Sequence, residues 1–165
     1  IDAGPVVENE TEREKLRECL NILNDAEVRA NESADVRAAC WNKYILNSAY
    51  NGMTAAYDLT IGDIKHDEAL AGEYRDVMTE AYNVGMALGV GLSDDLIDIN
   101  MRKLYKTTDD STSSLSRDFD RHISGEYELF GKDIADMGKS AGIETPHIDK
   151  MHQAMLDRIA SWKEK

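Results

Sequence analysis

Proline is almost absent from this 165-residue sequence, and no stretch shows the strict alternation of apolar and polar residues that a half-buried strand would need. The two prolines are Pro5 and Pro146. Apolar residues recur instead at three- and four-residue spacing along nearly the whole chain. The sequence therefore predicts an all-α fold of seven to eight helices without a sheet. Its length is that of one compact domain.

Cysteine is also scarce, and no apolar run approaches the roughly eighteen residues of a membrane-spanning helix. Cys19 and Cys40 each fall in a helical stretch, which indicates a reducing compartment and two core thiols rather than a structural disulfide. The N terminus has neither the basic nor the apolar region of a signal peptide. We therefore expect a cytoplasmic protein with no membrane partner.

Positive charge is limited to 19 Lys and Arg against 32 Asp and Glu, which gives a formal net charge of -13 at pH 7. The acids are spread along the chain rather than gathered in a tail. Binding to a nucleic-acid backbone draws on clustered Lys and Arg, so nucleic acid is not expected as a partner. An anionic ligand would need local cations, and the candidates are Arg37, Lys43, Lys65, Arg117 and Arg121.

Several chemical motifs are missing as well. The four histidines lack metal-ligand spacing, so we predict no metal site. There is no Gly-x-Ser-x-Gly motif, and neither cysteine has a neighbouring histidine. The string Gly89-Val90-Gly91 begins like a dinucleotide fingerprint, but it lacks the third glycine and follows a predicted helix instead of a strand. We reject it as a cofactor site.

Helical periodicity predicts helices over residues 10–23, 35–51, 53–59, 67–88, 94–104, from 114 onward, 126–141 and 146–162. Residues 60–63 are predicted as a turn and residues 107–113 as a polar loop. Ser33-Ala34-Asp35 offers an N-cap for the second helix and Asn51-Gly52 a stop. Ser93 is expected to cap the fifth helix, Gly142 to end the seventh, and Pro146 to open the last.

The second predicted helix carries a polar stripe formed by Lys43, Asn47 and Asn51 at four-residue spacing. Most of its remaining circumference is apolar, which predicts that the helix runs through the domain interior. A buried polar group without a hydrogen bond costs about 1–3 kcal/mol, so the stripe indicates an internal network or the wall of a polar cleft. Alternatively, Lys43 extends outward to water and Asn51 is only a C-cap.

Two further polar positions follow in the second half of the chain. Ser113 and Ser114 come directly after the polar loop, where a serine N-cap explains them without any function. Glu126 opens a later helix, where an acid favours the helix dipole. Neither position indicates a site when it is taken alone.

Taken together, these residues resemble the C-terminal domain of the ketopantoate reductase family, the 2-dehydropantoate 2-reductases. The family's helix Trp-x-Lys-x-x-x-Asn-x-x-x-Asn is matched in type and spacing, and so is its later Ser-Ser block with a following Glu. The matching residues are Trp41, Lys43, Asn47, Asn51, Gly52-Met53-Thr54-Ala55, Thr60-Ile61-Gly62, Ser113, Ser114, Asp118, Glu126, Gly138, Gly142-Ile143 and Thr145-Pro146.

The resemblance implies a helical domain like that of the 6-phosphogluconate dehydrogenase-type reductases. In this family an N-terminal Rossmann domain binds NADPH, and the helical domain binds the substrate. We accordingly expect residues 1–8 to be the end of an interdomain linker and residues 9–165 to be the substrate-binding and catalytic domain. The Rossmann domain is not part of this sequence, so the isolated chain is expected to be inactive.

The resemblance also implies roles for five residues. Lys43 would be the general acid that protonates the carbonyl oxygen of a 2-keto acid, with 2-dehydropantoate as the expected substrate and pantoate, of pantothenate biosynthesis, as the product. Glu126 would accept from a substrate hydroxyl or orient Lys43. Asn47, Asn51 and Ser114 would hold the carboxylate and hydroxyls of the substrate.

Two departures from the family pattern leave the identity of the keto acid open. Tyr127-Glu128 replaces a common Ile-Asp, and Gly131-Lys132 replaces a frequent Asn-Gly, which predicts a reshaped outer wall of the pocket. A different class of function also stays open, because the long amphipathic stretch 67–88 suits a non-catalytic helical module for dimerisation or partner binding. Homodimer formation is left open under either function.

Overall fold

The computed structural model describes residues 1–5 and 9–162 and has the all-α fold that the periodicity predicts. The described residues form nine helices: α1 Glu10–Asp25, α2 Val36–Tyr57, α3 Ile61–His66, α4 Glu68–Ala87, α5 Leu96–Lys106, α6 Ser114–Asp120, α7 Tyr127–Phe130, α8 Lys132–Ala141 and α9 Pro146–Ser161. Residues 6–8 of the predicted linker and residues 163–165 of the predicted domain lie outside the described part. None of the described helices combines the length and apolarity needed to cross a membrane.

Two places add a helix to the predicted set. Residues 60–63, predicted as a turn, begin α3 with a capping box in which the Thr60 hydroxyl accepts from the Asp63 backbone and the Asp63 carboxylate accepts from the Thr60 backbone. Gly131 divides the predicted helix 126–141 into α7 and α8. Before α5, the Ser93 hydroxyl bonds the carboxylate of Asp95, which occupies the N-cap position in its place.

Helix α2 begins where predicted but does not stop at Asn51-Gly52. The Asp35 carboxylate accepts from the Ala38 N–H at 2.9 Å, so Asp35 is the residue of the predicted Ser33-Ala34-Asp35 segment that caps the helix. Gly52 is buried inside the helix, and a Cβ at this position would overlap the thioether of Met151 in α9. Glycine therefore permits close packing of α2 on α9 instead of ending the helix. The predicted separate helix 53–59 is the last part of α2.

The polypeptide folds as two compact units, Ile1–Lys43 and Tyr44–Lys165, where its length predicts one. In the first unit, β1 (Asp2–Ala3) and β2 (Asn31–Glu32) pair in parallel, which corrects the prediction of no sheet. The described buried apolar residues of this unit are Leu20 and Ala30. An ion pair also joins α1 to β2, Arg13 to Glu32 at 2.7 Å.

Both cysteines are free and exposed, so the prediction of two core thiols is wrong. Cys19 is next to Leu20 on α1, where only a narrow stripe of the helix is covered and the adjacent position falls outside it. Cys40 lies in residues 36–43 of α2, none of which is buried. The expectation of a buried α2 therefore holds only for the second half of the helix.

The second unit is organised around α4, which packs against α3, α5, α8 and α9. The buried positions of α4 have helical spacing, as the sequence predicts: Tyr74, Val77, Met78, Ala81 and Val84. Glu80, only 9% exposed, accepts from the backbone N–H groups of His147 and Ile148 at 2.9 Å each. Because Thr145 provides no side-chain cap, this carboxylate satisfies the start of α9 from a neighbouring helix.

We predict opposite effects of alanine at two helical glycines. Gly52→Ala should destabilise the protein by about 1–3 kcal/mol, because the added methyl group overpacks the contact with Met151. Gly72→Ala in α4 should stabilise it by about 0.5–1 kcal/mol, since a Cβ there has no atom within 4 Å and alanine is the better helix former. Urea unfolding of both variants measures the difference. Equal free energies of unfolding would contradict the packing role of Gly52.

Candidate functional site

The polar stripe falls on α2, which is unbroken through Lys43, Asn47 and Asn51. Their exposure falls along the helix: Lys43 is exposed, Asn47 is half-buried and Asn51 is 6% exposed. The prediction of a buried stripe is therefore right for Asn51 alone. Lys43 adopts the exposed alternative that the sequence left open. The Asn51 amide donates to the main-chain carbonyl of Asn47 at 3.1 Å, so Asn51 lies within the helix and is not its C-cap.

Two hydroxyl groups continue the same face of α2 and anchor the loop that precedes α6. The Tyr50 hydroxyl donates to the Thr112 carbonyl at 3.1 Å. The Thr54 hydroxyl lies 2.7 Å from the Ser113 hydroxyl, and both residues are almost fully buried. Because Tyr50 and Thr54 follow Asn47 and Asn51 on one helical face, these bonds bring the polar loop to the stripe.

Ser113 and Ser114 have different positions although they are adjacent. Ser113 is the N-cap of α6, and its hydroxyl accepts from the Ser116 N–H at 3.0 Å. Ser114 is the first residue of α6 and is exposed, and its hydroxyl makes no hydrogen bond to any residue in the described ranges. The capping explanation therefore applies to Ser113 and leaves Ser114 available to a ligand.

Glu126 occupies the N-cap position of α7, is exposed and makes no capping hydrogen bond. Its segment is held in place from two sides. The Tyr44 hydroxyl of α2 donates to the Leu129 carbonyl at 2.5 Å. A Cβ on Gly125 would lie 3.0 Å from Leu115 of α6. Within the second unit, the segment that carries Glu126 thus contacts α2 at Tyr44, and the loop before Ser114 contacts it at Tyr50 and Thr54.

Two of the candidate cations have structural contacts in the loop of residues 107–113. Arg117 donates to the Thr112 carbonyl at 2.9 Å. Lys65 donates to the Thr107 carbonyl at 2.7 Å and pairs with Asp109. These contacts fix the loop, so the structure gives Arg117 and Lys65 a role in shaping the site rather than in holding a ligand.

A cleft of about 270 Å³ opens beside Asn47 in the second unit. Its lining residues come from α2, α3, α4, α5 and the following loop: Leu46, Asn47, Tyr50, Ile61, Tyr74, Lys103, Leu104 and Thr107. Sequence reasoning placed Tyr74 among the apolar core positions and did not single out Lys103. No spacing rule connects them, because α4 and α5 meet α2 only in the folded chain.

The two departures from the family pattern, Tyr127-Glu128 and Gly131-Lys132, both lie against His152 of α9. Tyr127 stacks on His152 with ring centroids 5.7 Å apart and planes inclined by 6°. A Cβ on Gly131 would overlap the same imidazole ring. Burial lowers the pKa of His152, with smaller opposing contributions from nearby carboxylates. The ring of His152 therefore fills the space that a side chain at position 131 would need.

The described residues contain no group of three or more His, Cys, Asp and Glu that could hold a metal ion. The glycine string follows α4, and Gly89 has a φ of 75° in the turn after that helix. Helix α5 then begins at Leu96, so this turn connects two helices and lacks the strand that a dinucleotide site requires.

Residues 35–158 match the family model described as the C terminal of the ketopantoate reductase PanE/ApbA. A 2-dehydropantoate 2-reductase from Caulobacter vibrioides is 33% identical over 126 residues, which cover 76% of this chain and 42% of that protein. One from Archaeoglobus fulgidus is 27% identical over 123 residues, covering 74% and 41%. The chain thus spans well under half the length of these curated relatives.

Solved structures have the same fold. A PanE/ApbA family ketopantoate reductase from Ralstonia eutropha JMP134 gives a TM-score of 0.82 at 28% identity, covering 98% of this chain and 52% of that one. A dimeric ketopantoate reductase from Staphylococcus aureus gives 0.82 at 19% identity, covering 93% and 52%. D-mandelate dehydrogenase in complex with NADH gives 0.84 at 15%, covering 97% and 54%. The last two likenesses concern the fold alone.

The contrast between the two serines predicts different costs of alanine substitution. Ser113→Ala should destabilise the protein by about 1–2 kcal/mol, because it removes the cap of α6 and the buried contact with Thr54. Ser114→Ala should change stability by less than about 0.5 kcal/mol, since its hydroxyl is exposed. Chemical denaturation of both variants tests this. A larger cost at Ser114 would show that the assignment of the cap is wrong.

Proposed function

The chain belongs to the ketopantoate reductase family as its C-terminal helical domain, and from this membership we propose that it is the substrate-binding and catalytic half of an NADPH-dependent 2-keto acid reductase. The proposed substrate is 2-dehydropantoate, which is reduced to pantoate. The names of the relatives support this choice. The observation that carries the proposal is the polar face of α2 with the hydroxyl-anchored loop beside it.

Lys43 is the general acid in this proposal. As hydride reaches the carbonyl carbon of the keto acid, the oxygen gains negative charge and takes a proton from the ammonium group. The exposure of Lys43 supports the role, because a group that donates to substrate must be accessible to it. Its place at the start of the Asn47 and Asn51 stripe also supports it.

Asn47, Asn51 and Ser114 bind the carboxylate and hydroxyls of the substrate in this proposal. The side chains of Asn47 and Ser114 make no hydrogen bond to other described residues, which leaves both available to a ligand. Asn51 uses its amide N–H on the backbone and keeps its carbonyl oxygen as an acceptor. Glu126, exposed at the start of α7, accepts from a substrate hydroxyl or orients Lys43.

Hydride is supplied by NADPH, which we propose is bound mainly by an N-terminal Rossmann domain. The helical surroundings of the glycine string support this division, since the described residues hold no strand followed by such a motif and a helix. Residues 1–8 then end the interdomain linker, and residues 9–165 form the domain. A cytoplasmic location belongs to the same proposal. A homodimer is also proposed, as one of the structural neighbours is a dimeric enzyme.

The proposed acid makes a prediction about turnover. In the polypeptide that joins this chain to its Rossmann domain, Lys43→Ala should lower kcat for 2-dehydropantoate by about 10²–10⁴-fold, because general-acid assistance is lost. The rate is measured as NADPH oxidation, followed by absorbance, at saturating keto acid. The isolated chain should show no turnover.

The matched control is Lys106→Ala, since Lys106 is also an exposed lysine on a helix but belongs to α5 and not to the polar stripe of α2. Circular dichroism of both variants shows whether the fold is retained. Normal turnover in folded Lys43→Ala would reject the assigned role. Turnover with other 2-keto acids but not with 2-dehydropantoate would correct the substrate and keep the reaction class.

A further inference from the structure

The cleft beside Asn47 contains a buried hydroxyl group without a partner. Tyr74 is 1% exposed and lines this cleft, but its hydroxyl makes no hydrogen bond with any described residue. The oxygen is not among the described side-chain atoms that are both fully enclosed and unbonded, so it keeps some accessible surface, and Tyr74 lines the cleft. Buried tyrosine hydroxyls ordinarily find a partner. The structure therefore has a place for one here.

The hydroxyl of Tyr74 is a donor rather than an anion. Burial raises the pKa of this phenol, and the neighbouring Tyr50 raises it further, so the proton is retained at neutral pH. The Tyr50 hydroxyl is itself committed as a donor to the Thr112 carbonyl. Tyr74 thus offers an O–H group to whatever occupies the cleft.

Lys103 is the one charged residue among the eight described residues that line the cleft. Its ammonium donates to the side-chain oxygen of Asn100 at 2.8 Å, and Asn100 is fully buried, which holds the lysine in place. An ammonium has three N–H donors, so two remain. In a chain of net charge -13, a cleft with a cation and no described acidic lining residue favours an anion.

The remaining lining defines the rest of the ligand. Leu46, Ile61 and Leu104 form apolar walls, and the side-chain amide of Asn47 makes no hydrogen bond to a described residue. The volume of about 270 Å³ is that of roughly nine water molecules at ~30 Å³ each, which suits a small organic acid. A cation and a hydroxyl donor among branched aliphatic side chains match a carboxylate with a short alkyl chain.

We propose that this cleft is a binding site for a small aliphatic carboxylate, whose oxygens accept from the Lys103 ammonium and the Tyr74 hydroxyl while its alkyl chain lies against Leu46, Ile61 and Leu104. Lys103 and Tyr74 are not among the residues of the proposed substrate site. Asn47 is common to both sites.

Isovalerate is the probe, since it has a carboxylate and a branched alkyl group but no keto group that could be reduced. It is titrated into the ¹⁵N-labelled chain at constant ionic strength, and amide shifts are followed by NMR. We expect shifts that cluster at the lining residues and saturate in the millimolar range. Lys103→Gln should weaken binding about tenfold, and Tyr74→Phe, which keeps the ring, about threefold.

Lys106→Gln is the matched control, because it removes an exposed charge from the same helix without touching the cleft, and it should bind as the unaltered chain does. Isovaleramide, the neutral analogue, should bind at least about tenfold more weakly. Equal affinity for the amide, no saturation below about 50 mM, or binding that Lys103→Gln leaves unchanged would each overturn the proposal. If Tyr74→Phe fails to fold, the exposed Lys103→Gln variant decides.

The two proposals have separate readouts, turnover for the first and isovalerate binding for the second. Loss of isovalerate binding would leave the keto acid proposal standing, because that proposal is tested by turnover through Lys43. Normal turnover in Lys43→Ala would leave the carboxylate site standing, because the probe cannot be reduced.

Discussion

The candidate site depends on one buried contact between two hydroxyl groups, those of Thr54 and Ser113. It joins the interior part of α2 to the start of α6, and both partners also serve their own helices: Thr54 bonds the Tyr50 carbonyl, and Ser113 caps α6. Since hydroxyl groups shielded from water are costly unless they are bonded, this pairing fixes the position of the loop. Ser114, which follows directly, is exposed as a consequence.

The polar residues of helix α2 differ in burial, and their roles differ accordingly. Asn51 is enclosed and bonds the helix backbone, Asn47 is half-buried beside a cleft, and Lys43 is exposed. Along this face, the Asn51 amide is hydrogen-bonded within the fold, whereas Lys43 is exposed to solvent or a ligand. Such a gradient is what a binding surface needs, because a fully satisfied stripe would have nothing to offer a substrate.

The sequence predicts best what local rules decide. The buried positions of α4, the cap at Asp35 and the left-handed Gly142 after α8 all follow from neighbours along the chain. It predicts poorly what residues far apart in the chain decide. Gly52 looks like a helix stop in the sequence, but it packs against Met151 inside a helix, and Gly131 looks like a helical residue, but it lies against His152 where the helix is interrupted. The five candidate residues could be found from spacing and family resemblance, whereas Tyr74 and Lys103 share a cleft only through tertiary packing.

The close approach of α2 and α9 also constrains how this domain can diverge. The long thioether side chain of Met151 fills the space that a side chain at position 52 would need. A larger residue at 52 becomes acceptable once 151 shortens, and each change alone is penalised. Among natural homologues, these positions should therefore change in pairs, a signature of compensatory evolution between segments far apart in the chain.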